Sequence, residues 1–271
     1  MPTLLRMPVT SRYGDSAARL EVSSDVLTLQ LAHRSVRRFA DGDVSEAQLA
    51  ALVAAAQSAP TSSNLQPWSV VVVRDPARKS RLARLAGGQE FIDQAPVLLV
   101  WIADLSRARR IAERAGASVD AADYLETTII GFVDTALAAQ NAVVAAESLG
   151  LGSVFVGAIR NHPHDVAAEL GLPPSAVAAF GLAVGVPDPT EDAGVKPRLP
   201  QGAVMHRETY DAAAADSHLP LYDERLAEYN RRHGLAGGWT ERVLVRLGGV
   251  WSMDGRHVLR ETLERLGLPS R

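Results

Sequence analysis

The sequence predicts an α+β or α/β fold in which helices flank one central sheet. Four short apolar runs, rich in β-branched residues, have the length of buried strands, at residues 69–73, 96–103, 151–157 and 180–185. Longer helical patterns alternate loosely with these runs, which is typical of a layered fold. With 271 residues and 47% hydrophobic composition, the chain can bury a full core, as one large domain or a domain with an excursion.

Several helices are indicated by their end signals. Ser45 and Gln48 form a capping-box pattern that opens a helix over 46–59, and Gly87 follows a basic amphipathic helix over 77–86. A short helix over 25–33 is expected to carry His33 at its end. A long helix over 126–149, closed by Gly150, is apolar on most faces, which predicts burial in the core or between subunits. Trp239 and Trp251 are expected to anchor the polar, helical C-terminal part.

Composition excludes several kinds of chemistry. The chain has no cysteine, which excludes disulfides, thiolate catalysis and cysteine-ligated metal sites. The net charge of −3 gives no case for nucleic acid or an anionic membrane as partner. His162, His164 and Asp165 supply too few spaced ligands for a metal, so none is predicted. Asp134, Gln140 and Asn141 interrupt the most apolar stretch, and the N-terminus lacks a signal-like apolar run, so a cytoplasmic protein is expected.

The densest positive charge lies in His33-Arg34-Ser35-Val36-Arg37-Arg38-Phe39, which puts three arginines, a histidine and a hydroxyl within seven residues. Arginine suits phosphate because its planar fork donates two parallel hydrogen bonds. A bound anion would therefore explain the cluster. A solvated basic turn is the alternative, and the local sequence leaves both open.

Three further stretches have two interpretations each. The loop at 60–68 is bracketed by prolines and carries small polar side chains that suit either turn formation or contact with a planar ligand. Gln89 follows two glycines and is either a helix terminus or a hydrogen-bond partner of a ring edge. Lys196 and Arg198 flank a proline. This segment is either a solvated basic turn or a stiff pair of cations.

The order of these elements is informative as a set. H-R-S-x-R at 33–37, P-T-S-S-N-L-Q-P-W at 60–68, G-G-Q at 87–89, F-V-G-A at 155–158 and K-P-R-L-P at 196–200 together resemble the FMN-dependent nitroreductase family. The chain is most similar to the NADPH-preferring branch of oxygen-insensitive nitroreductases and flavin reductases. The resemblance covers residues from about 25 to about 230.

The resemblance implies an architecture. It implies an α+β nitroreductase-like fold with a central, mostly antiparallel sheet flanked by helices, and a homodimer with two FMN sites at the subunit interface. The long apolar helix would then belong to the dimer core. Residues 1–22 would be an extension, and 23–271 a single domain with a helical excursion and a C-terminal helical segment from about 200.

The resemblance also implies site residues. In the implied FMN site, the residues of the 33–37 motif hold the phosphate and the flavin edge. The 61–66 loop is supplied partly by the partner subunit. Gln89 lies at the flavin ring, and the strand end at 156–158 packs on that ring. Lys196 gives electrostatic support to the flavin, which carries the hydride, so no side chain is expected to be catalytic. The implied set is His33, Arg34, Ser35, Arg37, Thr61, Ser62, Ser63, Asn64, Gln66, Gln89, Val156, Gly157, Ala158, Lys196 and Arg198.

Two departures from the family pattern bear on the site. The family often has Gly-Gly where this chain has Gly157-Ala158, and the extra methyl would shift the ring. An arginine that contacts the NADPH 2′-phosphate is replaced by His233, beside Arg231 and Arg232. These three residues are the predicted phosphate readers, with NADPH as co-substrate and NADH as the alternative.

The resemblance implies an NAD(P)H-dependent reductase of nitroaromatics, quinones or flavins, working by ping-pong hydride transfer to small-molecule acceptors. One alternative is a flavin reductase that releases reduced FMN to a partner. The other is a flavin-binding sensor or storage protein without turnover.

Overall fold

The computed structural model describes residues 9–14 and 20–271. The described residues form two compact units. The first unit contains the described residues up to Arg34 together with Asp192–Met253, and the second contains Ser35–Glu191 and Asp254–Arg271. The predicted extension over 1–22 and single domain over 23–271 stay predictions.

Helices dominate both units. Residues 9–13 are helical. From residue 20 onward the helices are α1 (Asp25–Ala32), α2 (Glu46–Gln57), α3 (Pro76–Leu85), α4 (Glu90–Gln94), α5 (Ser106–Ala115), α6 (Leu125–Ser148), α7 (Pro163–Leu170), α8 (Ala212–Asp216), α9 (Leu219–Arg232), α10 (Trp239–Leu247) and α11 (Leu259–Arg265). Short 3₁₀ turns lie between several of them.

The second unit is built on a four-stranded sheet of its described residues, with strand order β1-β2-β4-β3. The strands are β1 (Trp68–Val73), β2 (Val97–Asp104), β3 (Gly152–Val156) and β4 (Ala176–Gly185), and each neighbouring pair is antiparallel. The predicted α+β class with a mostly antiparallel central sheet is confirmed.

Strand β2 lies at the centre of two core layers because its side chains alternate between the faces of the sheet. Leu98, Val100 and Ile102 pack with buried residues of α3, α4 and α7. Val97, Leu99 and Trp101 pack on the opposite face with buried residues of α2 and α6. The sheet is therefore covered by helices on both faces, which explains why β2 is buried along its whole length.

Strand β4 begins four residues earlier than predicted. A register shift lies between Trp101 and Ile102 of β2, whose partners on β4 are Phe180 and Ala178. Ala179 is thus an extra residue in β4, as in a β-bulge, and its carbonyl accepts a hydrogen bond from Arg160. The alanine-rich start of the strand lacks β-branched alternation, so the sequence pattern indicated only its second half.

Helix ends follow the predicted signals closely. Ser45 and Gln48 form the capping box at the start of α2. Helix α6 ends in a Schellman motif, in which Leu151 N–H donates to Ala146 and Gly150 N–H to Glu147. Gly150 has φ = 76°, a left-handed conformation that favours glycine.

Helix α6 is buried on one face and exposed on the other. Its buried face carries alanines that allow close packing against α2 and the sheet. By length and composition alone α6 could cross a membrane, a criterion that core helices of soluble proteins also meet. The predicted burial is confirmed for one face, whereas Leu125, Ile129, Val133 and Leu137 are 40–51% exposed along the other.

The first unit is centred on α9. Tyr222, Leu226 and Asn230 are its buried side chains. Trp239 packs edge-on against the Tyr222 ring at a centroid distance of 5.6 Å, in line with its expected anchoring role. Trp251 is 69% exposed, so its predicted role as an anchor is wrong.

Candidate functional site

In the first unit, the cationic stretch that begins at His33 and the K-P-R segment at 196–198 both contact the guanidinium of one arginine. Arg12, which is 5% exposed, donates through Nη1 to the Lys196 carbonyl at 2.9 Å, through Nη2 to the His33 carbonyl and through Nε to the Leu31 carbonyl at 3.0 Å. The Arg12 carbonyl in turn accepts from the Arg198 N–H at 3.0 Å. The end of α1 and the K-P-R segment are therefore tied to the same side chain.

Helix α1 delivers His33 and Arg34 as predicted. The Ser24 hydroxyl caps the helix by accepting from the Leu27 N–H, and His33 occupies the C-cap. Arg34 Nη1 donates to the Ala193 carbonyl at 3.4 Å, three residues before Lys196. The two basic motifs thus meet through backbone groups as well as through Arg12.

Lys196 lies against an aromatic ring of α9. Its Nζ is 5.7 Å from the centroid of Tyr229, within the range of a cation–π contact. The Tyr229 hydroxyl donates to the Gly194 carbonyl at 3.0 Å. A Cβ at Gly194 would lie 2.6 Å from His233 Nε2, so glycine is needed for this close approach.

A cleft of about 680 Å³ opens in the first unit beside these residues. Both the N-terminal segment and the last turns of α9 contribute to its wall. Its lining comprises Thr10, Ser11, Gly14, Gly194, Val195, Pro197, Glu224, Arg225, Glu228, Tyr229, Arg231, Arg232 and His233. All three predicted phosphate readers therefore line one cleft.

Glu228 organises the charge at this end of the cleft. It accepts from Arg232 Nε at 2.8 Å and from Arg231 Nη2. The hydrogen bond from Arg232, with that from Arg231, holds the pKa of Glu228 below its ordinary value. His233 Nδ1 lies 3.0 Å from Asp192 Oδ1. Arg231 and Arg232, two of the three arginines in the cleft lining, are thus both bonded to the carboxylate of Glu228, one helical turn away.

In the second unit, the chain after Arg34 runs beside β3. Val36 N–H donates to the Ser153 carbonyl at 2.9 Å, and Ser35 forms a bridge with the same residue. A Cβ at Gly152 would come within 2.7 Å of Val36, so glycine permits this approach. Arg37 is exposed, and its N–H donates to Glu191 Oε1 at 2.9 Å.

The loop of residues 60–68 is fixed by hydrogen bonds to a buried carboxylate. Asp134 Oδ2, on α6, accepts from the Thr61 hydroxyl at 2.6 Å and from the Ser62 N–H at 3.1 Å. Thr61 Oγ1 also accepts from the Gln66 N–H at 2.9 Å. Ser63, Asn64 and Gln66 have φ values of 48–55°, uncommon for residues other than glycine. The loop is thus a fixed structure that presents exposed polar side chains.

Gln89 and the β3 end are also fixed by local geometry. Gly87 and Gly88 close α3 with φ of 77° and 75°, and Gln89 occupies the N-cap of α4 without a side-chain capping bond. Val156 is the buried last residue of β3. Gly157 and Ala158 begin a 3₁₀ turn, Gly157–Asn161, instead of continuing the strand predicted to 157.

An apolar groove of about 560 Å³ lies between α6 and the β3 end. Phe155 and Phe180 meet edge to face on it, with ring centroids 5.2 Å apart. Its lining comprises Val133, Ala136, Leu137, Gln140, Phe155, Gly157, Arg160 and Phe180. The exposed face of α6 continues along this groove.

The sequence did not predict the roles of two residues, Asp134 and Arg12, that hold segments of the candidate site in place. Asp134 had a usable signal, because a carboxylate inside an apolar helix requires partners. Arg12 had none, since residues 1–22 show no clear periodicity. Among residues 9–14 and 20–271, no group of three or more histidine and acidic side chains is placed to hold a metal ion.

The chain matches two family models. The model described as "Nitroreductase family" matches residues 31–89 and 83–186, and "Nitroreductase family, C-terminal domain" matches residues 196–271. Together the matched segments hold every motif of the candidate site.

Curated relatives align over most of their length. The chain is 41% identical over 238 residues to the FMN reductase [NAD(P)H] of Bacillus subtilis, covering 87% of this chain and 94% of the relative. It is 40% identical over 254 residues to the oxygen-insensitive NADPH nitroreductase of Salmonella typhimurium, covering 92% and 100%.

Solved structures give the same result. The hypothetical oxidoreductase YcnD from Bacillus subtilis superposes with a TM-score of 0.86 at 36% identity, covering 91% of this chain and 98% of that one. The NADPH:FMN oxidoreductase from Vibrio harveyi complexed with NAD⁺ superposes with a TM-score of 0.81 at 34% identity, covering 92% and 100%.

Proposed function

Because the chain belongs to the nitroreductase family, we propose that it is an FMN-dependent NAD(P)H oxidoreductase that reduces nitroaromatics, quinones or flavins. One structural observation carries the proposal for this chain. Arg12 binds the carbonyls of both His33 and Lys196, so two cationic motifs far apart in the sequence share one anchor. A cationic site of this kind suits a phosphorylated cofactor.

The donor set of each unit fits part of FMN. In the first unit, Arg34, Lys196 and Arg198 supply cationic donors, and His33 a ring N–H, of the kind that a ribityl phosphate and a polar ring edge require. In the second unit, the exposed 61–66 loop supplies hydroxyl and amide groups, and Gly88 leaves space where a Cβ would meet no atom within 4 Å. The residues present therefore fit the cofactor.

The proposed FMN contacts retain the predicted roles. Arg34 and Arg198 neutralise the phosphate, and Ser35 and Arg37 contribute hydrogen-bond donors. Gln89 and the polar residues of the 61–66 loop hydrogen-bond to the ring and ribityl edges. Val156, Gly157 and Ala158 pack on the ring, where the Ala158 methyl sets its position.

Bound FMN would supply the redox chemistry, as acceptor of a hydride from NAD(P)H and donor of reducing equivalents to the second substrate. The chain's own residues position the reacting groups and polarise them. A cation at position 196 favours the more negatively charged state of a nearby ligand and so raises its reduction potential. Since positioning and electrostatics are sufficient, the chemistry requires no side-chain nucleophile.

Steady-state kinetics on the FMN-loaded protein test the proposal. NADPH and a nitroaromatic or quinone acceptor should give parallel double-reciprocal lines, because both substrates react in turn at one site. FMN should stay with the protein during gel filtration. A protein that neither binds FMN nor oxidises NAD(P)H would contradict the proposal, whereas turnover with loss of FMN would favour the supply of free reduced flavin.

We propose that Arg231, Arg232 and His233 read the 2′-phosphate of NADPH. The double variant Arg231→Ala/Arg232→Ala should lower kcat/KM for NADPH by about 100-fold or more, because each of the two lost charge-assisted hydrogen bonds contributes about 1.5–3 kcal/mol. The value for NADH should stay within about twofold. Arg114→Ala, at an exposed arginine of α5, is the matched control. An equal loss with both nucleotides would contradict this role.

We propose that a second copy of the chain covers the exposed face of α6. Leu125, Ile129, Val133 and Leu137 recur every four residues and so share one side of the helix. An apolar stripe of this kind is typical of a subunit interface. This supports the expected homodimer, and the cytoplasmic location stays a prediction.

Leu137→Asp should convert the dimer to monomer, because a carboxylate would then be buried without a partner at the interface. Sedimentation velocity measures the mass directly. Ile111→Asp, at an exposed apolar position of α5, is the matched control and should stay dimeric. A parent protein that sediments as a monomer, or an unchanged dimer in Leu137→Asp, would contradict the interface.

A further inference from the structure

We propose that Arg12 is a positioning residue for the cofactor, and that the segment 9–14 is a working part of the site rather than an appended extension. The inference rests on the proposed FMN site, which it deepens. The sequence motifs that indicate this site begin only at His33. The contribution of the segment 9–14 therefore comes from the structure alone.

The first argument is the set of contacts that Arg12 makes. Its buried guanidinium donates to the carbonyls of Leu31, His33 and Lys196. A buried cation is retained only where several oxygen atoms replace its hydration, and here the oxygens belong to backbone on both cationic motifs. Arg12 therefore fixes the backbone of the residues that make the proposed phosphate and flavin contacts.

The contact is reciprocal, which restricts the geometry further. The Arg198 N–H donates to the Arg12 carbonyl at 3.0 Å, while Arg12 Nη1 donates to the Lys196 carbonyl at 2.9 Å. These two bonds bracket Pro197, whose φ is already restricted. With both flanking residues bonded to one partner, the side chains of Lys196 and Arg198 leave the backbone at fixed positions.

The same segment also lines the cleft of about 680 Å³ in the first unit. Thr10, Ser11 and Gly14 line it together with Arg231 and Arg232. Gly14 has φ = 78°, a conformation that favours glycine, and a Cβ there would lie 1.9 Å from Arg225 Nη2, so a larger residue would displace this guanidinium. Val9 is buried at the start of the segment. Residues 9–14 are thus packed into the first unit at both ends.

Two variants separate positioning from plain stabilisation. Arg12→Ala removes all three donors, whereas Arg12→Lys keeps the charge but lacks the planar fork. Arg84→Ala, at an exposed arginine of α3, is the control. The readouts are the FMN dissociation constant of the apoprotein, from quenching of flavin fluorescence, and the midpoint potential of the bound FMN at saturation.

We expect Arg12→Ala to weaken FMN binding at least tenfold and to lower the midpoint potential, because Lys196 is no longer held. The FMN affinity and midpoint potential of Arg12→Lys should lie between those of Arg12→Ala and the parent. Both values for Arg84→Ala should match the parent. Should Arg12→Ala not fold, Arg12→Lys alone decides by the same two readouts. Parent-like FMN affinity and potential in the deciding variant would overturn the role of Arg12 while leaving the proposed function intact. A parent that binds no FMN would overturn both.

Discussion

Arg34→Ala is expected to release FMN from the purified protein. The substitution leaves the proposed phosphate without its bidentate partner and also removes the hydrogen bond from Arg34 to the Ala193 carbonyl. A hydrogen bond to a charged group contributes about 1.5–3 kcal/mol, and the loss of two such bonds corresponds to about a 100-fold or larger rise in Kd. Titration of the apoprotein with FMN measures this, and the visible flavin absorbance of the purified variant reports the same loss.

Arg38→Ala is the matched control for Arg34→Ala. Arg38 belongs to the same basic cluster, but its exposed guanidinium pairs with Asp188 at 3.2 Å. An exposed ion pair of this kind contributes little, so this variant should keep its FMN. An Arg34→Ala protein that is as yellow as the parent and binds FMN equally well would contradict the phosphate assignment.

Lys196→Gln is expected to lower the reduction potential of bound FMN by about 30–60 mV, since about 30 mV corresponds to 1.4 kcal/mol for a two-electron couple. The Lys196 ammonium lies over the Tyr229 ring, whose hydroxyl is bonded to Gly194, so its charge has a defined position. Reduction by NADPH should slow about tenfold, more than FMN binding weakens. Spectroelectrochemical titration gives the potential, and stopped-flow gives the rate.

Lys196→Arg keeps the positive charge and separates electrostatics from shape. If charge is the main contribution, this variant should recover most of the potential but less of the rate, because a guanidinium has a different reach and geometry. A potential in Lys196→Gln equal to that of the parent would exclude the proposed electrostatic role.

The predictable parts of the fold are those set by local chemistry. The Ser45 capping box and the Gly150 helix end were predictable because each depends on residues close in sequence. The central strands were indicated by β-branched apolar runs. The first half of β4 was not, because alanines carry no such pattern and the strand there is defined by pairing with β2 across a bulge.

The candidate site divides in the same way. The cationic motifs and the polar loop could be recognised from residue type and order. The contacts that fix them are long-range: Asp134 supports Thr61 from another helix, and Arg12 connects α1 to Lys196. A single sequence does not encode such pairings in any periodic signal, which is why residues 1–22 were interpreted as an extension.

Anaerobic stopped-flow of the FMN-loaded protein is the most direct test of the central claim. NADPH and NADH are mixed separately with the protein, and bleaching of the visible flavin band is followed in time. We predict rapid bleaching with NADPH and slower bleaching with NADH, because the cationic end of the cleft favours the nucleotide with the extra phosphate. Equal rates would keep the reductase and remove the 2′-phosphate assignment, whereas bound FMN that neither nucleotide reduces would contradict the reductase itself.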